Sequence, residues 1–166
     1  MDSRIKAPRT PPTPGETLFL AIIKSADGLG QQAEQLMKSA GLTGAQYNVL
    51  RILRGADDTG LPCSTVADRM ISRDPDMTRL LDRMEKRNFI TRERQKDDRR
   101  VVKARITEEG LALLKKLDLP IRDLHRKQFD HMTAAHIKLL TDLLQEVVER
   151  HAGQRSCGND KVSATK

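Results

Sequence analysis

A chain of 166 residues with 37% hydrophobic and 32% charged residues suits one cored domain with appendages. Its longest uninterrupted apolar run, Leu18–Ile23, is too short to span a bilayer, and residues 1–15 hold prolines but no apolar signal segment, so a cytoplasmic protein without membrane association is expected. The net charge of +7 is concentrated, because residues 64–106 carry 13 Lys/Arg against 8 Asp/Glu while the segments 16–63 and 107–151 are slightly acidic. Localised positive charge points to a polyanionic partner. Trp is absent and the aromatics are Phe19, Tyr47, Phe89 and Phe129, too few for the stacking platforms of single-strand and RNA binders, which favours duplex DNA. Cys63 and Cys157 form no disulfide framework, which fits a reducing compartment.

Residues 1–12 read as a disordered basic arm and 152–166 as a polar tail. Thr13-Pro14-Gly15-Glu16 has the form of a capping box and opens a helix over about 14–40, with Leu18, Ile22, Leu29, Leu36 and Ala40 at helical spacing. Gly28 and Gly30 weaken this helix by about 1 kcal/mol each relative to Ala, so packing against another element, such as a partner subunit, must support it. Thr43-Gly44-Ala45-Gln46 caps a second helix over 44–54 with Tyr47, Leu50 and Leu53 on its apolar face. After an extended Leu61-Pro62-Cys63, Ser64 is expected to cap a two-turn helix that turns Val66, Met70 and Ile71 inward. Asp74 is expected as N-cap, with Pro75 in the first turn, of a fourth helix carrying Met77, Leu80, Leu81 and Met84 on one face.

Alternation over Ile90–Gln95 and Val101–Ile106 predicts two strands around a charged hairpin, with Val102, Ala104 and Ile106 on one face. Thr107 caps a long helix kinked or interrupted at Pro120, and Thr133 caps a last one with Ile137, Leu140, Leu144 and Val147. The expected fold is mainly α with a small β-hairpin wing. It comprises a winged helix-turn-helix domain over 42–106 and a helical dimerisation region over 13–41 and 107–151, about six helices in all.

Two short helices joined by a tight turn and followed by a ribbon place the second helix in the major groove. With its apolar stripe on the core, that helix turns Asp76, Thr78, Arg79, Asp82, Arg83 and Lys86 outward, Thr78 and Arg79 lying centrally. Arg73 in the turn suits a phosphate or a guanine, whereas Asp74 and Asp76 oppose phosphate approach. A plain solvated face with pairs such as Asp82–Lys86 is the alternative. Lys96-Asp97-Asp98-Arg99-Arg100 puts two arginines at the ribbon tip, suited to a narrow minor groove, with a bidentate Asp98–Arg100 pair to orient the guanidinium. An ordinary charged turn is the alternative there.

Leu42-Thr43-x-x-Gln46-Tyr47-x-Val49-Leu50, Ala67-Asp68-Arg69-Met70, Pro75 to Glu85 (PDMTRLLDRME) and Asp98-Arg99-Arg100-x6-Thr107-x-x-Gly110 together resemble the MarR family over about residues 16–150. The resemblance implies a homodimer built from the first and last helices and a pseudo-palindromic double-stranded DNA operator. It also implies repression relieved by a small phenolic or other aromatic effector or by thiol oxidation. It places Thr78, Arg79 and Arg83 in the recognition helix and makes Arg100 the wing arginine with Asp98 as its supporting acid. The expected DNA-binding set is Arg73, Asp76, Thr78, Arg79, Arg83, Asp98, Arg99 and Arg100. Departures from the family pattern are Ile71 and Asn88 where Gly is usual and the acidic start Arg73-Asp74-Pro75-Asp76.

The resemblance further implies an effector pocket between the dimer helices and the winged domain, with Phe19, Ile23 and Tyr47 as its candidates here unless these are simply core. Cys63 is the alternative sensor, as a redox thiol. The four histidines show no metal-ligand spacing, and no nucleophile elbow, phosphate loop or paired-acid motif occurs, so neither a metal, a cofactor nor an enzymatic activity is expected. A winged-helix module that docks on protein is the rival class, separable by the salt dependence of duplex binding.

Overall fold

The computed structural model describes residues 11–159 except 58, 73–74, 96–97 and 99, with side chains described to residue 150. Most of the basic arm and the end of the polar tail therefore lie outside the described residues. The chain divides into two compact units, one up to Leu124 and one from His125 on, with the boundary inside a helix.

Both capping boxes form. Thr13 and Glu16 cap each other at the start of α1 (Pro14–Ser39), and Thr43 and Gln46 do so at the start of α2 (Gly44–Arg54). Only the last turns of α1 reach the core, through Met37 and its neighbours Ala33, Leu36 and Ala40. The left-handed Gly41 (φ 73°) then turns the chain into α2, and the Glu34 carboxylate accepts the Gly44 N–H at 2.8 Å. α2 supplies the centre of the core with Val49, Leu50 and Leu53.

β1 (Leu61–Pro62) leads directly into α3 (Cys63–Arg69), α4 spans Met77–Lys86, and β2 (Ile90–Arg94) and β3 (Val102–Ile106) form the ribbon. The three strands make one antiparallel sheet in the order β1-β3-β2, with Leu61 opposite Ala104 and Ile90 opposite Ile106. Val66, Leu80, Leu81, Met84, Ile90 and Ala104 close the core from the α3–α4–sheet side. α5 (Glu108–Gln128) contributes Leu114, Leu117 and Ile121.

Four expectations need correction. α3 begins at Cys63 immediately after Pro62 and has no side-chain cap, because the chain passes from β1 into the helix without the polar position that Ser64 was expected to supply. Met70 is extended (φ −63°, ψ 141°), which takes Ile71 off the helical repeat, so Ile71 is 88% exposed rather than inward and its N–H is held by the Asn48 Oδ1 at 2.9 Å. The N-cap of α4 is Asp76, not Asp74, which lies outside the described residues; Pro75 precedes the helix. Of the kink or interruption expected at Pro120, the interruption does not occur, since α5 runs through it and one missing backbone donor is tolerated in a helix whose inner face is packed.

Thr107 joins the ribbon to α5 by accepting the Gly110 N–H (3.1 Å) and donating to the Asn88 carbonyl (2.6 Å). In the second unit, α6 (Ala134–Asn159) starts at Thr133, whose Oγ1 accepts the His136 N–H at 3.2 Å, and its backbone stays helical beyond the residue 151 end expected for it. Ile137, Leu140, Leu144 and Val147 form an exposed apolar stripe along it.

Candidate nucleic-acid interface

The candidate surface starts with α4, where Leu80, Leu81 and Met84 are almost wholly buried and orient the opposite face outward. Thr78, Arg79, Arg83 and Lys86 are exposed on that outward face. Asp76 caps the helix by accepting the Arg79 N–H (3.3 Å), and its other oxygen pairs with Arg79 Nε at 3.2 Å. The carboxylate that sequence reasoning set against phosphate approach is thus partly offset by the arginine three residues on. Arg79 nevertheless keeps its side chain 78% exposed. Arg73 lies outside the described residues.

Asp98 and Arg100 sit exposed at the ribbon tip, with Arg99 outside the described residues. The orienting bond differs in kind from the expected bidentate pair. The Asp98 carboxylate accepts the backbone N–H of Arg100 at 2.9 Å, and the Asp98 carbonyl accepts the Val101 N–H at 3.0 Å. Asp98 therefore shapes the turn itself, as an Asx turn, and leaves the Arg100 side chain projecting. Gln95 closes the ribbon below it through its N–H to the Val101 carbonyl at 3.0 Å.

Behind this surface lies a network that sequence reasoning missed. Arg92 of β2 donates from Nε (3.0 Å) and Nη2 (2.7 Å) to Glu85 Oε2, from its backbone N–H to Glu85 Oε1 (3.0 Å), and from Nη2 to Asp82. Asp82, expected on the outward face, is instead turned toward the ribbon. The Glu85 hydrogen bond, joined by that of Asp82, pushes the Arg92 pKa above its ordinary value against the opposing effect of burial, so the guanidinium is permanently charged. The legible signal was an arginine on the inward side of a strand, in register with the buried Ala104 and two residues from the buried Ile90. Arg87 makes a second tie, donating to the Gly41 carbonyl at 2.8 Å and stacking 4.5 Å over Phe89.

The three residues expected to line an effector pocket differ in exposure. Tyr47 is a core residue with Arg51 5.8 Å from its ring, and burial pushes its pKa up. Phe19 and Ile23 are 62% and 52% exposed on α1. The Cys63 thiol is half-buried, and desolvation raises its pKa against the smaller opposing pull of Arg92. Among the described residues no group of three His, Cys, Asp or Glu is placed to hold a metal ion, and no helix is long and apolar enough to cross a membrane.

Comparison with known proteins agrees with this geometry. The MarR family model, described as "MarR family", matches residues 42–102, the segment from the start of α2 to the second ribbon strand. A MarR transcription factor of Planctomyces limnophilus is 34% identical over 82% of this chain and 98% of its own, with a TM-score of 0.63. This chain belongs to the MarR family. A MarR family transcriptional regulator of Streptomyces coelicolor, solved in complex with DNA, is 26% identical over 87% of this chain and 91% of its own, with a TM-score of 0.75. The homoprotocatechuate degradative operon repressor of Escherichia coli is 26% identical over 133 residues, 80% of this chain and 88% of the relative. As a MarR-family winged helix-turn-helix protein, the chain is a DNA-binding transcriptional regulator.

Proposed function

We propose that this MarR-family protein acts as a cytoplasmic homodimeric repressor of transcription. Its α4 reads the major groove of a pseudo-palindromic operator while the Asp98–Arg100 tip enters the adjacent minor groove. The observation that carries this reading is the exposed row Thr78, Arg79 and Arg83 on a helix fixed by Leu80, Leu81 and Met84, with Arg100 projecting from a turn held by Asp98. Asp76 acts by capping α4 and steering Arg79, and Arg73 and Arg99 add positive charge beside the two contact points.

Residues 42–106 form the DNA-binding part, and α1, α5 and α6 the dimerisation region. The dimer is supported by the exposed apolar side chains of α1 (Leu18, Phe19, Leu20, Ile23) and the stripe on α6, more apolar surface than a monomer usually leaves in water. Two copies bring two recognition helices into successive major grooves, roughly 34–36 Å apart. A small aromatic or phenolic effector releases the repressor by favouring a spacing that does not fit the operator. Phe19 and Ile23 supply apolar surface for it, and Tyr47 supports the wall from the core. The chain has no catalytic activity and needs no cofactor. The raised Cys63 pKa counts against thiol oxidation as the signal.

The test is anisotropy with a selected duplex and a random one. Arg79→Ala and Thr78→Ala should relax base preference at a cost of about 1–3 kcal/mol on the selected site. Equal losses on both duplexes contradict the assignment.

A further inference from the structure

We propose that Arg92 is a positioning residue that makes the recognition helix and the wing a single rigid reading head. The inference rests on the DNA-reading role assigned above to α4 and the ribbon. Covalently these two elements are joined by Arg87, Asn88 and Phe89, a short turn in which Asn88 is left-handed (φ 56°). The turn itself is held, by the Phe89 N–H on the Met84 carbonyl and by Thr107 on the Asn88 and Phe89 carbonyls, and Ile90 is buried in the core with Met84, so what is left to fix is the direction of the ribbon beyond Ile90.

Arg92 supplies a polar attachment to α4 two residues further along β2. It lies on the inward face of β2, opposite Ala104, whose small side chain leaves room for the guanidinium against the sheet. Its side chain is 21% exposed, less than the Asp82 and Glu85 carboxylates it holds. Glu85 receives both the main-chain N–H and the guanidinium of the same residue, so the carboxylate is fixed against the strand as well as the side chain. Asp82, one turn earlier on α4, binds the same Nη2. A planar fork with several donors can hold two carboxylates at once in fixed directions; a lysine ammonium, a single point charge on a flexible stem, cannot.

The consequence is one of leverage. β2 pairs with β3 only as far as Arg94 with Val102, and Asp98 lies beyond that last pair, so a rotation at the base of the ribbon is magnified at the tip. Hydrogen-bonded and groove contacts tolerate about 0.5 Å. Unless the base of the ribbon is locked to α4, contacts by Arg79 in one groove and Arg100 in the next cannot form together reliably. The clamp therefore governs how strongly the two sets of contacts reinforce each other on a specific site, while random DNA, held by charge alone, does not require it.

Arg92→Lys separates this role from charge and from folding. It keeps the positive charge beside Asp82 and Glu85 but loses the fork. At a temperature where circular dichroism shows the variant folded, affinity for the selected duplex is expected to fall about tenfold or more, with affinity for random duplex changed less than about twofold. In wild-type protein the losses from Arg79→Ala and Arg100→Ala should be non-additive; in the Arg92→Lys background they should add to within about twofold. Glu85→Gln breaks the clamp from the helix side, is expected to give the same pattern, and carries the test should Arg92→Lys not fold. A lowered melting temperature with an unchanged selected-to-random ratio overturns the inference, as does an equal loss on both duplexes. Wild-type protein with no preference for any duplex overturns the DNA-reading function beneath it.

Discussion

Asp76 and Asp98 are acids on the surface proposed to meet DNA, and both act through the backbone. Asp76 accepts the N–H of Arg79 and Asp98 that of Arg100, so each carboxylate orders the segment carrying an exposed arginine. Asp98→Ala should therefore weaken operator binding about tenfold, the order of one lost charge-assisted hydrogen bond. Asp98→Asn, whose Oδ1 can accept the same N–H, should recover most of the loss in the same anisotropy titration. Cys63 makes a pH-dependent case. Burial raises its pKa above the ordinary 9.0, so the neutral thiol persists to higher pH than a free cysteine. In Cys157→Ser protein, iodoacetamide labelling at pH 8 should be slower than that of a cysteine peptide and should rise only as pH passes the elevated pKa; labelling at the peptide's rate contradicts the burial. At this scale the exposed residues Thr78, Arg79 and Arg100 were legible in the sequence because helical and strand periodicity decide which side chains face outward. The inward position of Arg92 follows from the same alternation, but its partners were not legible, since they lie on a different element.

Among the elements, the starts of α1 and α2 were legible to the residue because Thr-x-x-Glu and Thr-x-x-Gln state both halves of the capping box locally. The start of α4 was not. Asp74, Pro75 and Asp76 offer competing local signals, and the packing of Leu80, Leu81 and Met84 decides the phase in favour of Asp76. Ile71 was misplaced for a related reason, because the extended Met70 breaks the helical count. Thr43→Ala should cost about 1 kcal/mol in urea unfolding by leaving the Gln46 N–H without its cap. Gly110→Ala should cost more, about 1–3 kcal/mol, the range for overpacking a filled site. A Cβ there would overlap the Phe89 carbonyl oxygen and come within 2.8 Å of Ile106. A Gly110→Ala protein as stable as wild type would show that the ribbon-to-α5 junction yields more easily than its packing implies.

For the whole molecule, the order of helices and ribbon was readable from periodicity, caps and the charge of residues 64–106. Assembly is less legible, because apolar residues that serve a partner subunit have the same spacing as those that serve a core. Leu140→Glu with Leu144→Glu places two charges in the exposed stripe of α6. The pair should shift the protein from dimer to monomer in sedimentation at micromolar concentration and lose operator affinity with it; an unchanged dimer would put the interface elsewhere. The most direct measurement is selection of duplexes from a random pool by the wild-type protein, followed by affinity for the winning site and a scrambled one at matched salt. A pseudo-palindromic site bound about 10³-fold or more tightly than the scrambled duplex is the expected result. Failure to enrich any site, or equal affinity for both duplexes, would contradict the assignment of α4 and the wing as a sequence-reading head.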